Sequence, residues 1–340
     1  MSNTFRNIRV GGGCREFNGK AKTHSDIPYG SNHLVGLHKA FSDTLTKFVN
    51  WVKVRLYHEK LYLMDIFCIG YMILTTMLLL IFRHNVPNWA DLASRFAFFT
   101  VIIHGVIVWF NRYPDNLALS MLRFVYPVGV IAFGWGHMND LVLMIYGDLW
   151  ATTPLVALDR FFFGTYPTVW FQQFHSPWLY EFMNFFYCGY YLWMPVIVLV
   201  LLLRKEFKAL AFTLSLVSFT YLGNYILFYL LPAVGPQMTP EIMAVSSNAD
   251  DGFWIAQLTK TLQSGGEVAG GAFPSSHVSV ALAWALAVWH LNRRIGVWFL
   301  LMVPFIAVAT AYLGYHHAMD PIAGLLWGYM SYCILVPGYQ

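Results

Sequence analysis

Apolar runs near the length needed to cross a bilayer recur along this chain, and that feature most restricts what it can fold into. A helix needs about 20 apolar residues to span the hydrocarbon core, where every backbone polar group must be satisfied within the segment. Runs of this kind are read at Leu61–Phe82, Phe96–Phe110, Met121–Gly136, Leu179–Leu203, Leu210–Leu231, Ser276–Leu291, Ile295–Tyr315 and Pro321–Val336, the third interrupted by Pro127 and several glycines. Composition agrees: 58% of the residues are hydrophobic and only 11% charged, against about a quarter charged in a soluble domain. The fold class is therefore an all-α integral membrane protein, a bundle of about six to eight transmembrane helices.

The net charge of +4 hides an asymmetry. Residues 1–60 form a polar, basic tail without the apolar core of a signal peptide, and its cations mark a cytoplasmic side rather than a nucleic-acid site. Behind it come an N-terminal set of transmembrane helices over 61–150 and a second membrane domain over 151–340. With the N-terminus inside and eight spans, both termini are cytoplasmic. Arg112, Arg123, Arg204, Lys205, Lys208, Arg293 and Arg294 then join the tail on the inner side, so that 17 of the 21 Lys and Arg lie there. Only Arg83, Arg95, Arg160 and Lys260 fall outside, together with the loop Pro232–Ser275 and the junction Tyr315–Asp320. The four cysteines are far apart in sequence and suggest neither a disulfide framework nor a thiolate metal site.

Chemistry-bearing residues gather at that outer face. His277 opens the sixth span, which runs inward to Arg293 and Arg294; the seventh returns outward toward His316. Two crossings therefore bring both histidines to one face. Asp320 follows His316 by four residues, one helical turn on. Ionisable groups at the ends of membrane helices mark function. A carboxylate beside an imidazole can hold one ring nitrogen and sharpen the other as a nucleophile. A second histidine can pass a proton to a leaving oxygen. The amides opening the helix at Ser275, Ser276 and His277 suit an anion. A zinc site of His277, His316, His317 and Asp320 is the rival arrangement.

The stretches FPSSHVSVALA and AYLGYHHAMDPIAG resemble the second and third signature motifs of the type 2 phosphatidic acid phosphatase superfamily of membrane phosphoesterases and phosphotransferases. The resemblance covers about Leu155 to Tyr332. ALDRFFFGTYPTVWFQ, EFMNFFYCGYYLWMP and NYILFYLLPAVGP are similar to the branch containing inositol phosphorylceramide synthases. The resemblance implies that His316 attacks phosphorus to form a phosphohistidine, that Asp320 orients it, and that His277 protonates the leaving oxygen and then activates the acceptor. It implies no metal and no cofactor. The partners it implies are membrane lipids: a phospholipid donor and ceramide, diacylglycerol or water as acceptor. Two departures stand out. Thr310 occupies the place of the third motif's arginine, and PAVGPQ replaces the first motif's lysine and Arg-Pro pair. The missing cations favour headgroup transfer over hydrolysis and leave open what neutralises the phosphate.

Other residues admit two readings each. Arg160 and Lys260 are the external cations near the site in sequence, yet Arg160 and Asp159 also suit a surface ion pair. Glu181 stands within a span, where it needs a partner, either an acceptor hydroxyl or a structural donor. His317 points away from His316 around a helix and reads as interfacial. Tyr187, Tyr190, Tyr191 and Trp193 read as packing or as an interfacial aromatic belt. Outside enzymes, the rival class is a lipid transporter or scramblase, which two matching halves with broken helices would favour; the chain shows no such symmetry.

Overall fold

The computed structural model of the protein describes residues 61–245, 252–264 and 268–339. The basic tail over 1–60 and two stretches of the loop before His277 lie outside the described residues.

Among the described residues, seven helices are long and apolar enough to cross a membrane, and a shorter apolar helix, Ser276–Leu291, accompanies them. The chain is a multi-pass all-α membrane protein. The spans are α1 (Leu63–Ile81), α2 (Trp89–Arg112) and α3 (Leu117–Gly136), then two short helices, α4 (Thr152–Phe163) and α5 (Pro167–Gln172). The fourth span is divided into α6 (Pro177–Gly189) and α7 (Trp193–Leu203), and α8 (Phe207–Leu230) follows. A polar-loop helix, α9 (Trp254–Ser264), precedes the closing trio α10 (Ser276–Leu291), α11 (Arg293–Tyr312) and α12 (Met319–Tyr339).

Three features of the spans differ from the sequence expectation. Helix α2 begins seven residues earlier, at Trp89 rather than Phe96, because Asp91 pairs with Arg95 one turn on at 2.8 Å and makes a charged first turn tolerable. Helix α3 runs unbroken through Pro127; in a membrane bundle, neighbouring helices re-satisfy the carbonyl freed by a proline. The fourth span tightens to a 3-10 turn at Tyr190–Leu192.

Helix α8 is the axis of the bundle: 72% of its apolar window is buried, against 50% or less for the other long spans. Lipid cannot drive helices together hydrophobically, so close packing and interhelical hydrogen bonds do it. Asn224 donates to Ser279 Oγ at 2.7 Å, and the Trp327 indole donates to the Thr220 carbonyl at 3.0 Å, tying α8 to α10 and α12. The alanines at 281, 283, 285 and 287 are fully buried and let α10 sit close to its neighbours. A Cβ on Gly324 would stand 2.6 Å from the Ser275 carbonyl oxygen, and one on Gly328 would stand 2.5 Å from that of Ser279. These two glycines, one turn apart on α12, allow it to lie against the first turns of α10.

Arg123, counted with the inner-side cations in the charge tally, stands within α3 near its start. Arg123 is fully buried and forms a two-pronged ion pair with buried Asp65, whose carboxylate also accepts from the Tyr126 hydroxyl. A buried guanidinium requires such a partner, and here the pair pins α1 to α3. Outward faces carry large apolar side chains, Phe98 at 66% and Leu203 at 73% exposed among them. Phe161, Phe162, Trp170, Phe174 and Trp178 stand exposed on and around α4 to α6, the disposition of an interfacial belt.

Candidate active site

Pro274 and the N-cap residue Ser275 start α10, which sets His277 in its first turn. Helix α11 begins where the Asn292 side chain accepts from the Arg294 and Ile295 amides at 3.1 and 3.2 Å. It ends at Tyr312, and a turn through Gly314 (φ 80°) carries His316 back toward His277. The two imidazole centroids stand 5.6 Å apart and at 69°. Both rings are buried, His277 at 9% and His316 at 4% exposure.

Asp320 meets His316, but not through the helical register that the spacing suggested. His316 precedes α12, which begins at Met319. A capping turn makes the contact: Asp320 Oδ2 accepts from the His317 amide at 2.9 Å, and the Asp320 amide donates to the His317 carbonyl at 3.0 Å. The same Oδ2 lies 3.3 Å from His316 Nδ1. A nearer acceptor, the Ala272 carbonyl, lies 2.9 Å from that nitrogen. Both neighbours only accept, so Nδ1 carries the proton and Nε2 keeps the lone pair. Nothing in the sequence singled out Ala272. It is placed by a short backbone bridge in which Ala233 donates to Gly270 and Ala272 donates to Ala233, at 3.1 and 3.0 Å. The PAVGP stretch therefore knits the site rather than merely ending a helix. A Cβ on Gly235 would stand 2.1 Å from the Tyr315 carbonyl oxygen.

Of the three helix-opening amides, that of Ser275 donates to the Asp320 carbonyl at 3.0 Å, which couples α10 to α12. Those of Ser276 and His277 lie in the first turn, where no intrahelical acceptor exists. Ser275 is fully buried and Ser276 5% exposed. Ser275 Oγ, His277 Nδ1 and Asp320 Oδ1 are buried with no hydrogen-bond partner among the described residues. Unsatisfied buried polar atoms of this kind call for a polar ligand.

The remaining candidates do not converge on the histidines. Glu181 is 8% exposed, and its carboxylate accepts from the Phe253, Ile255 and Ala256 amides at 2.8, 2.6 and 3.1 Å. It caps α9, the structural one of its two readings. Arg160 is exposed, with its guanidinium 5.6 Å from the Tyr166 ring. Asp159, expected at the surface, is instead buried at 2% and accepts from the Ala318 and Met319 amides at 2.9 and 3.1 Å, capping α12. Lys260 is half-buried on α9.

His317 is not interfacial: it is 1% exposed, with Nε2 3.1 Å from the Val234 carbonyl and Nδ1 3.7 Å from Asp159. Burial lowers its pKa, but Asp159, Asp320 and the Val234 carbonyl outweigh burial and hold it above the ordinary value. Among the described residues, no group of three or more His, Cys, Asp or Glu side chains stands as a metal-holding cluster. The tyrosines prove closer to the site than their sequence reading implied. The Tyr187 ring stacks between His277 and Tyr315, 4.6 Å from each, and the Tyr191 hydroxyl lies 2.8 Å from His277 Nε2.

Comparison with known proteins bears on the same segment. The model of the PAP2 superfamily matches residues 153–334, which include all of α4 but its first residue and every residue of the His277–His316–Asp320 cluster. A PA-phosphatase related-family protein of Dictyostelium discoideum is 22% identical over 178 residues, 47% of this chain and 32% of that protein; the chain thus spans about a third of that relative's length. No solved structure matches. Since the family model covers more than half of the chain, the chain belongs to the PAP2 superfamily.

Proposed function

We propose that this protein is a metal-independent membrane enzyme that transfers the phosphoryl group of a lipid phosphate through a phosphohistidine on His316. The observation that carries this reading is the pairing of His316 Nδ1 with two acceptors, Ala272 O and Asp320 Oδ2. It frees Nε2 as a nucleophile within reach of a second buried histidine. His316 Nε2 bonds to phosphorus as the ester oxygen leaves, and His277 delivers a proton to that oxygen. Asp320 balances the positive charge that the phosphorylated ring acquires. In the second half, an acceptor hydroxyl gives its proton to His277 and attacks phosphorus, breaking the P–N bond. The amides of Ser276 and His277 and the hydroxyl of Ser275 are the donors for the phosphoryl oxygens. The apolar spans keep the lipid tail in the bilayer and orient the reacting phosphorus.

The finer reading is transfer of a phospho-headgroup from a phospholipid to a lipid hydroxyl, such as that of ceramide or diacylglycerol. It is supported by Thr310, which stands where the resemblance leads one to expect an arginine. That threonine is fully buried and commits its hydroxyl to the Ala307 carbonyl at 2.8 Å. A neutral side chain there suits a singly charged phosphodiester better than a dianionic monoester, which needs cations. Hydrolysis, with water as the acceptor, is favoured by the similarity to the Dictyostelium PA-phosphatase related-family protein. In either case the reading sets Arg293 and Arg294 and both termini on the cytoplasmic side, and the site opposite.

The test is the purified protein with a phospholipid panel, with and without ceramide or diacylglycerol, read by mass spectrometry. A new headgroup-bearing lipid establishes transfer. Free phosphate or free phospho-headgroup establishes hydrolysis. Unchanged lipids throughout overturn the proposal in favour of a non-catalytic lipid transporter.

A further inference from the structure

We propose that Tyr191 is the positioning residue of the acid–base histidine: it keeps a proton on His277 Nε2, so that Nδ1 is the nitrogen that exchanges protons with the reacting oxygens. The inference rests on the reading of His277 as the general acid and base.

Three observations converge on it. First, the Tyr191 hydroxyl lies 2.8 Å from His277 Nε2. Second, Nδ1 of the same ring is buried with no hydrogen-bond partner among the described residues. One nitrogen is thus held by Tyr191 and the other has no partner among the described residues. Third, Tyr191 belongs to the 3-10 turn Tyr190–Leu192 that interrupts the fourth span. Such a turn inside a long helix rotates the side chains that follow. The ring is clamped from other sides as well: Tyr187 stacks on it with centroids 4.6 Å apart and planes at 23°, and Tyr190 stands at 5.3 Å.

The proton balance closes over both half-reactions. In the first, the His277 imidazolium donates Nε2–H to the Tyr191 oxygen and gives the Nδ1 proton to the leaving oxygen, while the His316 Nε2–P bond forms and the P–O bond breaks. Neutral His277 remains protonated on Nε2. In the second, Nδ1 takes the acceptor's proton, the new O–P bond forms and the P–N bond breaks, restoring the imidazolium. Tyr191 loses no proton in either step. Like the buried carboxylate of a serine-protease triad it orients the ring, and with its oxygen accepting it holds the Nε2 proton, without placing a second negative charge in the membrane.

The experiment compares Tyr191→Phe with the parent in detergent micelles on two substrates with the same phosphoryl group. One releases diacylglycerol, whose oxygen needs a proton, and the other releases p-nitrophenolate, which leaves without one. The expected result is a fall in kcat of about 10- to 100-fold on the lipid, the worth of a hydrogen bond to a charged group. KM should stay within about threefold, and the fall on the nitrophenyl ester should be under about threefold when acid-labile enzyme labelling is followed. Labelling at the parental rate also shows that the variant is folded. A similar fall on both substrates, or no fall on either, overturns the inference while leaving the assignment of His277 intact. A parent inactive on both substrates overturns the proposed function, and this inference with it.

Discussion

Replacing Asp320 with asparagine separates two things a carboxylate can do for a nucleophilic histidine. Where a carboxylate is the sole partner of the ring, its amide analogue leaves the wrong tautomer, at a cost of about 10⁴-fold in turnover. Here the Ala272 carbonyl, at 2.9 Å, is closer to His316 Nδ1 than Asp320 Oδ2 at 3.3 Å. It keeps the proton on Nδ1 whichever residue stands at 320. The asparagine carbonyl can also replace Oδ2 as acceptor for the His317 amide, so the capping turn survives. On the proposed mechanism, what is lost is the charge opposite the phosphorylated ring, a charge-assisted hydrogen bond worth about 1.5–3 kcal/mol. That converts to a fall of about 10- to 100-fold in kcat. The assay is turnover of the lipid substrate by mass spectrometry, with rapid-quench counting of the acid-labile phosphoenzyme and a thermal melt in detergent to confirm folding. A fall of 10⁴-fold in a folded variant would refute the role given to the Ala272 carbonyl. A fall below about threefold would refute the assignment of Asp320 as the charge partner.

Other outcomes follow from the same geometry. His316→Ala should abolish both turnover and the phosphoenzyme label, whereas His277→Ala should lose about 10²–10⁴-fold in turnover and still label slowly from a good leaving group; a normal label in His316→Ala moves the nucleophile elsewhere. His317 has its pKa raised in the folded state, so its contribution to stability is complete below its unfolded value of about 6.5 and is lost as pH rises through the folded value. Melts across that window should show the parent losing more stability with rising pH than His317→Gln, and parallel profiles would dismiss the His317–Asp159 pair. Activity should survive strong chelators and be inhibited by vanadate; loss restored by zinc would refute the metal-free chemistry. Cysteines introduced at 260 and 294 should react with an impermeant reagent in intact cells only at 260, and labelling at 294 alone would put the site on the cytoplasmic face.

The seven long spans and the shorter apolar helix Ser276–Leu291 were legible because length and apolarity report directly on the solvent a segment must occupy. The hairpin of α10 and α11 was enough to place His277 and His316 at one end of the bundle, whatever the packing. Tertiary structure decided which partner each polar group takes. Asp159 caps a helix begun 160 residues later, Tyr191 reaches a histidine 86 residues away, and the Ala272 carbonyl arrives through a bridge to the PAVGP stretch. Arg123 turned inward to Asp65, and His317 inward to Val234 and Asp159. The physical reason is a difference of range. Hydrophobic transfer is non-directional and is felt residue by residue along the sequence. A buried hydrogen bond or ion pair needs a particular atom within about 3 Å, and that atom can come from any part of the chain that packing brings near.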